Sequence, residues 1–317
     1  MTDVQTTAGP VPAADLGRTL GHEHVQIVSE SLAAQFPRVY DAEASFAQAV
    51  ERLQAVKAHG VQAIVDPTVM DLGRDIRFIA RVAEATGLHI VPATGVYGVM
   101  YRFLPRYFTA LEPDALADLF VADIETGIQG TEIKAAFLKC AVDEPGIVDD
   151  VEKILRAIAR AHQRTGAPIM AHSHPGSGRG LEICDLFADE GVDLGRVQIA
   201  HTGDTDDLDY IERVLERGVF IGVDRYGLDL ILPTEQRNAT TAALCARGYA
   251  ERMVLSQDAT AGTFDWFPAE LVAQMAPNWT MTYVFDTVIP QLRELGVTEA
   301  QAEAMLTVST QRWLAGA

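Results

Sequence analysis

Short runs of β-branched and apolar residues recur along the chain, separated by longer segments whose apolar residues repeat at helical spacing. Eight runs have the length and composition of strands, at 19–25, 61–67, 89–95, 133–139, 168–173, 197–202, 219–224 and 253–258. The intervening segments, such as 46–60 and 150–166, carry one apolar face and end at a glycine, the residue that most readily terminates a helix. The chain therefore predicts strands that alternate with helices.

This alternation predicts a parallel sheet, and eight such units without a break in composition predict a closed (β/α)8 TIM barrel. We expect a single domain over residues 1–317. A doubly wound open sheet is the alternative, but neither GxGxxG nor GxxxxGK[ST], the phosphate loops that would favour it, occurs in the chain. In a parallel barrel the active site lies at the carboxyl ends of the strands, so polar residues that end strands are the candidates for function.

The composition of the chain indicates which partners are unfavourable and in which cellular compartment the protein is expected. A formal net charge of −19 argues against nucleic acid and membrane surfaces as partners, because both carry negative charge. The three cysteines have no CxxC spacing, which argues against a disulfide framework or a cysteine zinc site. Because no long apolar run and no signal-like start are found, we expect a cytoplasmic protein without a transmembrane helix.

Residues with metal-binding side chains end five of the eight predicted strands. They are His22, His24, Lys139, His172, His201 and Asp258. His22 and His24 lie two positions apart on a strand and therefore face the same side, whereas Glu23 between them should face outwards. Imidazole and carboxylate groups are good ligands for zinc and related divalent metals. The sequence therefore predicts a metal site at the mouth of the barrel.

Lys139 allows two functional interpretations besides that of a lysine that reaches solvent. With a lowered pKa its amine could form a Schiff base, as in an aldolase. Alternatively the amine could carry a carboxylate from CO2, which would turn a cation into an anion able to bridge two metal ions. The aldolase hypothesis leaves the four histidines unused, and a non-catalytic metal-binding protein is a further alternative.

The motifs around these residues resemble those of the phosphotriesterase family of the amidohydrolase superfamily, and most closely its phosphotriesterase-like lactonases. The motifs are HEHV, LKCAVDEPG, AHSHPGSGRG, IAHTGDTDD and LSQDA, in this order along the chain. The resemblance covers nearly the whole chain. It implies a hydrolase with two divalent metal ions, and it suggests a homodimer.

The resemblance also implies a role for each candidate residue. The more buried metal would be held by His22, His24 and Asp258, the more exposed one by His172 and His201, and carboxylated Lys139 would bridge both together with a hydroxide. Zinc is the first expectation, with cobalt, manganese and iron as alternatives. Tyr97 and Arg225 match positions that line the substrate pocket, whereas Gln257 stands where members often have a histidine.

Together with the resemblance, these residues imply attack on a lactone carbonyl by a metal-bound hydroxide, with Asp258 as the proton acceptor. The expected substrate is an N-acyl-homoserine lactone or a related γ/δ-lactone, with weak activity on phosphotriesters. Apolar residues in the segments 97–108 and 259–279, among them Phe264 and Trp266, predict a groove for an acyl chain, although a dimer contact would fit as well. A dedicated phosphotriesterase and another amidohydrolase reaction are the alternatives.

Overall fold

A computed structural model describes residues 3–36, 38–98 and 104–316 of the chain. The strands are β1 (Asp3–Thr6), β2 (Gly9–Pro12), β3 (Thr19–Leu20), β4 (Ala63–Asp66), β5 (His89–Gly95), β6 (Phe137–Val142), β7 (Ile169–Ser173), β8 (Val197–Ala200), β9 (Phe220–Val223) and β10 (Met253–Leu255). The α-helices are α1 (Glu30–Gln35), α2 (Ala42–Ala58), α3 (Ile76–Thr86), α4 (Arg106–Thr109), α5 (Pro113–Glu125), α6 (Asp149–Thr165), α7 (Arg179–Asp189), α8 (Leu208–Leu215), α9 (Thr234–Ala246), α10 (Ala269–Met275), α11 (Ile289–Glu294), α12 (Glu299–Leu306) and α13 (Val308–Ala315). One turn of π-helix, Val284–Val288, leads directly into α11.

The eight strands β3 to β10 pair in chain order, and every neighbouring pair is parallel. Beyond the strand ends, backbone hydrogen bonds join the first strand to the last. The amide of Asp258 donates to the carbonyl of His22 at 3.0 Å, and the amide of His24 donates to the carbonyl of Ala259 at 2.9 Å. These bonds bring the two edges of the sheet together, and the predicted (β/α)8 barrel is confirmed.

The barrel strands lie within or next to the predicted runs, but several boundaries were wrong. β3 covers only the first two residues of the run 19–25, and β6 begins at Phe137 and continues past Lys139 to Val142. Lys139 therefore lies in the middle of its strand rather than at its end. His201 and Asp258 follow their strands with φ of 63° and 54°, a left-handed conformation that ends a β-ladder.

The amino-terminal end of the barrel is closed by elements that the apolar pattern did not predict. β1 and β2 form an antiparallel hairpin, whose short, proline-containing strands lack a clear apolar alternation. Next to it, Trp313 of α13 is fully buried, donates from Nε1 to the carbonyl of Ile169 at 3.1 Å and meets the Phe137 ring edge-on at 5.5 Å. Large apolar side chains thus fill this end, and the polar residues are left to the carboxyl end.

The cysteines and the helices can be compared with the expectations from composition. Cys140, Cys184 and Cys245 are buried and form no disulfide. Across the described ranges, no helix has both the length and the apolar character needed to cross a membrane.

Candidate metal centre

Five of the six predicted ligands lie close to one another at the carboxyl end of the barrel. The Nε2 atoms of His22 and His24 each lie 3.3 Å from Oδ1 of Asp258. His201 Nε2 lies 3.8 Å from the other oxygen, Oδ2, of Asp258. The rings of His172 and His201 are 4.6 Å apart. Side chains from β7 and from segments next to β3, β8 and β10 therefore meet at one point.

The sixth predicted ligand, Lys139, lines the same cavity from β6. Its side chain is buried, and Nζ has no hydrogen-bond partner among the described residues. Burial lowers the pKa of the amine to about 8, although the carboxylates of Asp258 and Asp224 oppose the shift. An unpaired ammonium at this depth would cost several kcal/mol, and the lowered pKa increases the fraction of the amine that is neutral.

The protonation states of these side chains suit metal binding. Burial lowers the pKa of His22 to about 4, and burial followed by the charge of His201 lowers the pKa of His172 well below its usual value. Burial alone would raise the pKa of Asp258, but His22, His24, His201 and Arg225 together hold it well below its usual range. Neutral imidazole and ionised carboxylate are the forms that bind divalent ions.

The donor set therefore fits a divalent metal. One ligand atom from each of His22, His24 and Asp258 can be chosen so that all lie within 4.8 Å of one another. The unpartnered Nζ of Lys139 and the adjacent rings of His172 and His201 offer further donors in the same cavity.

Asp224, which the sequence analysis did not select, contacts two of the predicted ligands, His22 and His201. Its Oδ2 lies 2.8 Å from Nδ1 of His22, and its Oδ1 lies 3.0 Å from Nδ1 of His201 and accepts from the His201 amide at 2.8 Å. A carboxylate at Nδ1 makes that atom the donor and leaves Nε2 with its lone pair. In the sequence, Asp224 is the last residue of the predicted strand 219–224, and this position could have indicated a role at the metal site. An aspartate after a strand is also common as a helix cap, so the position alone was not specific.

Glu23 is not among the residues that line the cavity, although it is fully buried. Its Oε1 accepts from Ser256 Oγ at 2.7 Å and from the Gln257 amide at 2.8 Å, and its Oε2 accepts from the Ala259 amide at 2.8 Å. These bonds flank Asp258 on both sides. Glu23 thus anchors the turn that holds Asp258 in its left-handed conformation.

The two pocket residues suggested by the family resemblance both contact predicted ligands. Arg225 donates from Nε to Asp258 Oδ2 at 3.0 Å and from Nη1 to Asp204 Oδ2 at 3.2 Å. The hydroxyl of Tyr97 lies 3.4 Å from Nδ1 of His172, and both side chains line the cavity. Arg225 therefore forms a hydrogen-bonded ion pair with the predicted proton acceptor, Asp258.

A cavity of about 620 Å³ opens above these residues and has an apolar rim. The rim is formed by Leu228, Leu230, Ile231, Phe264, Trp266, Phe267, Leu271 and Met275. Phe264 and Trp266 lie with their rings 5.5 Å apart, and residues between Phe264 and Trp279 line the cavity. Part of the other predicted apolar segment, residues 99–103, lies outside the described residues.

A parallel (β/α)8 barrel with histidines and a carboxylate gathered at the carboxyl ends of its strands is the architecture of the metal-dependent barrel hydrolases. The model of the phosphotriesterase family matches residues 2–314, and the chain belongs to this family.

Similar proteins support this membership over nearly the whole chain. A "Phosphotriesterase homology protein" of Mycobacterium tuberculosis is 48% identical over 320 residues, which cover 98% of this chain and 97% of that protein. An "Aryldialkylphosphatase" of Saccharolobus solfataricus is 46% identical over 291 residues, which cover 91% of this chain and 92% of that protein. The solved structure of the phosphotriesterase from Mycobacterium tuberculosis superposes with a TM-score of 0.94 at 47% identity, covering 98% of each chain.

Proposed function

We propose that this phosphotriesterase-family hydrolase is a lactonase that opens N-acyl-homoserine lactones or related γ/δ-lactones and has weak activity on phosphotriesters. The observation that supports the proposal is the division of the cavity into a polar floor and an apolar rim. A lactone ring with an acyl tail has the same division, because its ester is polar and its tail is apolar. Burial of the tail on the rim would contribute about 0.8 kcal/mol per CH2 group.

We further propose that two divalent ions, zinc by preference, occupy the site and that Lys139 is carboxylated. His22, His24 and Asp258 would hold one ion, His172 and His201 the other, and Lys139 would contact both. A buried amine with a pKa of about 8 supports carboxylation, since only the neutral amine reacts with CO2. When bound, the ions would polarise the carbonyl and lower the pKa of water, so that hydroxide is available at neutral pH.

Side chains of the protein would bind the lactone and transfer the proton. Opening the ring breaks the bond between the acyl carbon and the ring oxygen, and that oxygen must gain a proton as it leaves. Asp258 is positioned to accept a proton during attack and return it to the leaving oxygen, with Arg225 holding its Oδ2 at 3.0 Å. The Tyr97 hydroxyl, beside His172, would donate to the bound ester.

The test compares substrate classes on the protein reconstituted with zinc and bicarbonate. Proton release is followed for acyl-homoserine lactones, alkyl γ- and δ-lactones, and aryl dialkyl phosphotriesters. We expect kcat/KM for the best lactone to exceed that for the best triester by at least about tenfold. Efficient hydrolysis of triesters without turnover of any lactone would instead favour a dedicated phosphotriesterase, the activity named for the Saccharolobus relative.

A homodimer and a cytoplasmic location are also proposed, on the basis of the family resemblance and the composition. Light scattering of the purified protein tests the first proposal, since a dimer would have twice the mass of 34.4 kDa.

A further inference from the structure

Arg237 is a buried cation in a position that requires an explanation. It lies in the first turn of α9, its exposure is 1%, and it does not line the cavity. The amino-terminal end of a helix carries partial positive charge, which disfavours a cation. A buried guanidinium also costs several kcal/mol unless it is paired with good geometry. Its contacts must therefore compensate for both costs.

On one side, Arg237 begins a chain of ion pairs that ends at the predicted proton acceptor. Its Nη1 donates to Asp204 Oδ1 at 2.5 Å and to the carbonyl of Gly203 at 2.7 Å. The other oxygen of Asp204 accepts from Arg225 Nη1 at 3.2 Å, and Arg225 Nε donates to Asp258 at 3.0 Å. The position of Arg237 thus determines where Asp204 can hold Arg225.

On the other side, Arg237 holds the segment that carries part of the apolar rim. Its Nη2 donates to the carbonyl of Leu232 at 3.3 Å. The two preceding residues, Leu230 and Ile231, line the cavity and are 57% and 42% exposed. Asp229 ties the same segment to α9, because its Oδ1 accepts from the Thr234 amide at 2.9 Å. One guanidinium therefore supports the rim and the ion-pair chain together.

We propose that Arg237 is a positioning residue that couples a substrate tail on the rim to the placement of Asp258, through Asp204 and Arg225. The inference rests on the proposed function in one respect, that an apolar tail occupies the rim. A guanidinium is a rigid planar fork, so a shift of the Leu232 carbonyl at Nη2 moves Nη1 against Asp204. A tail would then increase kcat as well as binding, because rim contacts would improve the arrangement of the reacting groups.

The kinetic test uses Arg237→Lys, which keeps the charge but loses the fork. The substrates are acyl-homoserine lactones and aryl dialkyl phosphotriesters, each with short and long apolar chains. In the wild type we expect kcat to rise at least about fivefold from short to long chains. In Arg237→Lys the longer chain should still lower KM, but kcat should no longer depend on chain length.

Arg247→Lys is the matched control, because Arg247 directly follows α9, is exposed and pairs with Glu212 on the surface. It should keep the wild-type pattern. A wild-type kcat that is independent of chain length in both series, or a chain-length dependence that persists in Arg237→Lys, would overturn the coupling. If only the phosphotriester series shows the dependence and the lactones are not turned over, the coupling stands and the proposed lactonase activity fails.

A second measurement needs neither a variant nor catalysis. Hydrogen–deuterium exchange of the wild type is recorded with and without decanoate, a probe with an apolar tail. We expect protection at 228–232 and also at 203–204, the two segments that Arg237 joins. Protection confined to 228–232, or no protection at all, would contradict the proposal even if Arg237→Lys does not fold.

Discussion

Two buried carboxylates, Asp224 and Glu23, hold the predicted metal ligands in place. Asp224 contacts Nδ1 of both His22 and His201, and Glu23 accepts from the backbone on either side of Asp258. Both oxygens of each carboxylate are used by donors. Loss of an acceptor would leave a buried donor unsatisfied, at a cost of about 1–3 kcal/mol for each one.

Glu23→Gln should destabilise the fold and weaken metal binding. A glutamine side chain has one acceptor oxygen and one NH2 group. The NH2 group would face a donor of the turn 256–259, so at least one hydrogen bond to this turn would be lost. We expect the free energy of unfolding to fall by about 1–3 kcal/mol, and less metal to be retained after dialysis. Urea unfolding and metal analysis measure the two effects. Glu84→Gln, an exposed position on α3, is the control, and equal behaviour of the two variants would refute the role.

Asp224→Asn should weaken the binding of both proposed ions rather than one. Asparagine can accept from only one of the two histidines and presents an NH2 group to the other. We expect metal affinity to fall by about 10–100-fold. Titration with a chelator, followed by metal analysis, measures this loss. Asp206→Asn, at an exposed position, should bind metal like the wild type, and unchanged affinity in Asp224→Asn would contradict the orienting role.

The helix α10 and the segments around it line the cavity. None of the α10 residues is buried, and Leu271 and Met275 are 40% and 56% exposed. The residues that follow α10 are held by hydrogen bonds, because Trp279 Nε1 donates to the carbonyl of Gln257 at 2.9 Å and Asn278 donates to Asp229 at 2.7 Å. An exposed apolar helix at the edge of a cavity is typical of a surface that contacts a ligand or a partner.

Met275→Asp should reduce activity towards long-chain substrates selectively. A carboxylate on the rim would disfavour an apolar tail, and we expect kcat/KM for long chains to fall by about tenfold while short chains change little. Thermal unfolding should be unaffected because the side chain is already half exposed. Leu295→Asp, equally exposed at 53% and absent from the cavity lining, is the matched control. Equal losses for short and long chains would argue against a tail on this rim.

Across the whole molecule, the apolar packing that closes the barrel and the predicted metal ligands lie at opposite ends of the barrel. Trp313, Phe137 and the β1–β2 hairpin close the amino-terminal end with apolar contacts. The predicted ligands occupy the carboxyl end, where backbone that has left the sheet can present side chains to a cavity. A change at the closed end should therefore alter the free energy of unfolding without altering the arrangement of the ligands.

Trp313→Phe tests this separation. It removes the hydrogen bond to the Ile169 carbonyl and leaves a small cavity, so we expect a loss of about 1–3 kcal/mol in the free energy of unfolding. The values of kcat and KM should remain close to those of the wild type. Urea unfolding and steady-state kinetics on the same preparation measure both. A large fall in kcat with unchanged stability would show that the two ends are not independent.

The amino-acid pattern alone predicted the alternation of strands and helices, and with it the barrel and the positions of its candidate ligands. These features follow from local periodicity, since each strand carries its own polar side chain to the same end of the sheet. It could not determine the strand boundaries next to His201 and Asp258, or the amino-terminal hairpin.

The roles of Glu23, Asp224 and Arg237 depend on contacts that form only when the chain is folded. Each side chain has an ordinary local interpretation, as an outward strand residue, a helix cap or a surface cation. Their partners lie far along the chain, 233 positions away between Glu23 and Ser256 and 202 between His22 and Asp224. Local periodicity has no information about such pairs, because a buried charge finds its hydrogen bonds only when the strands and helices pack together.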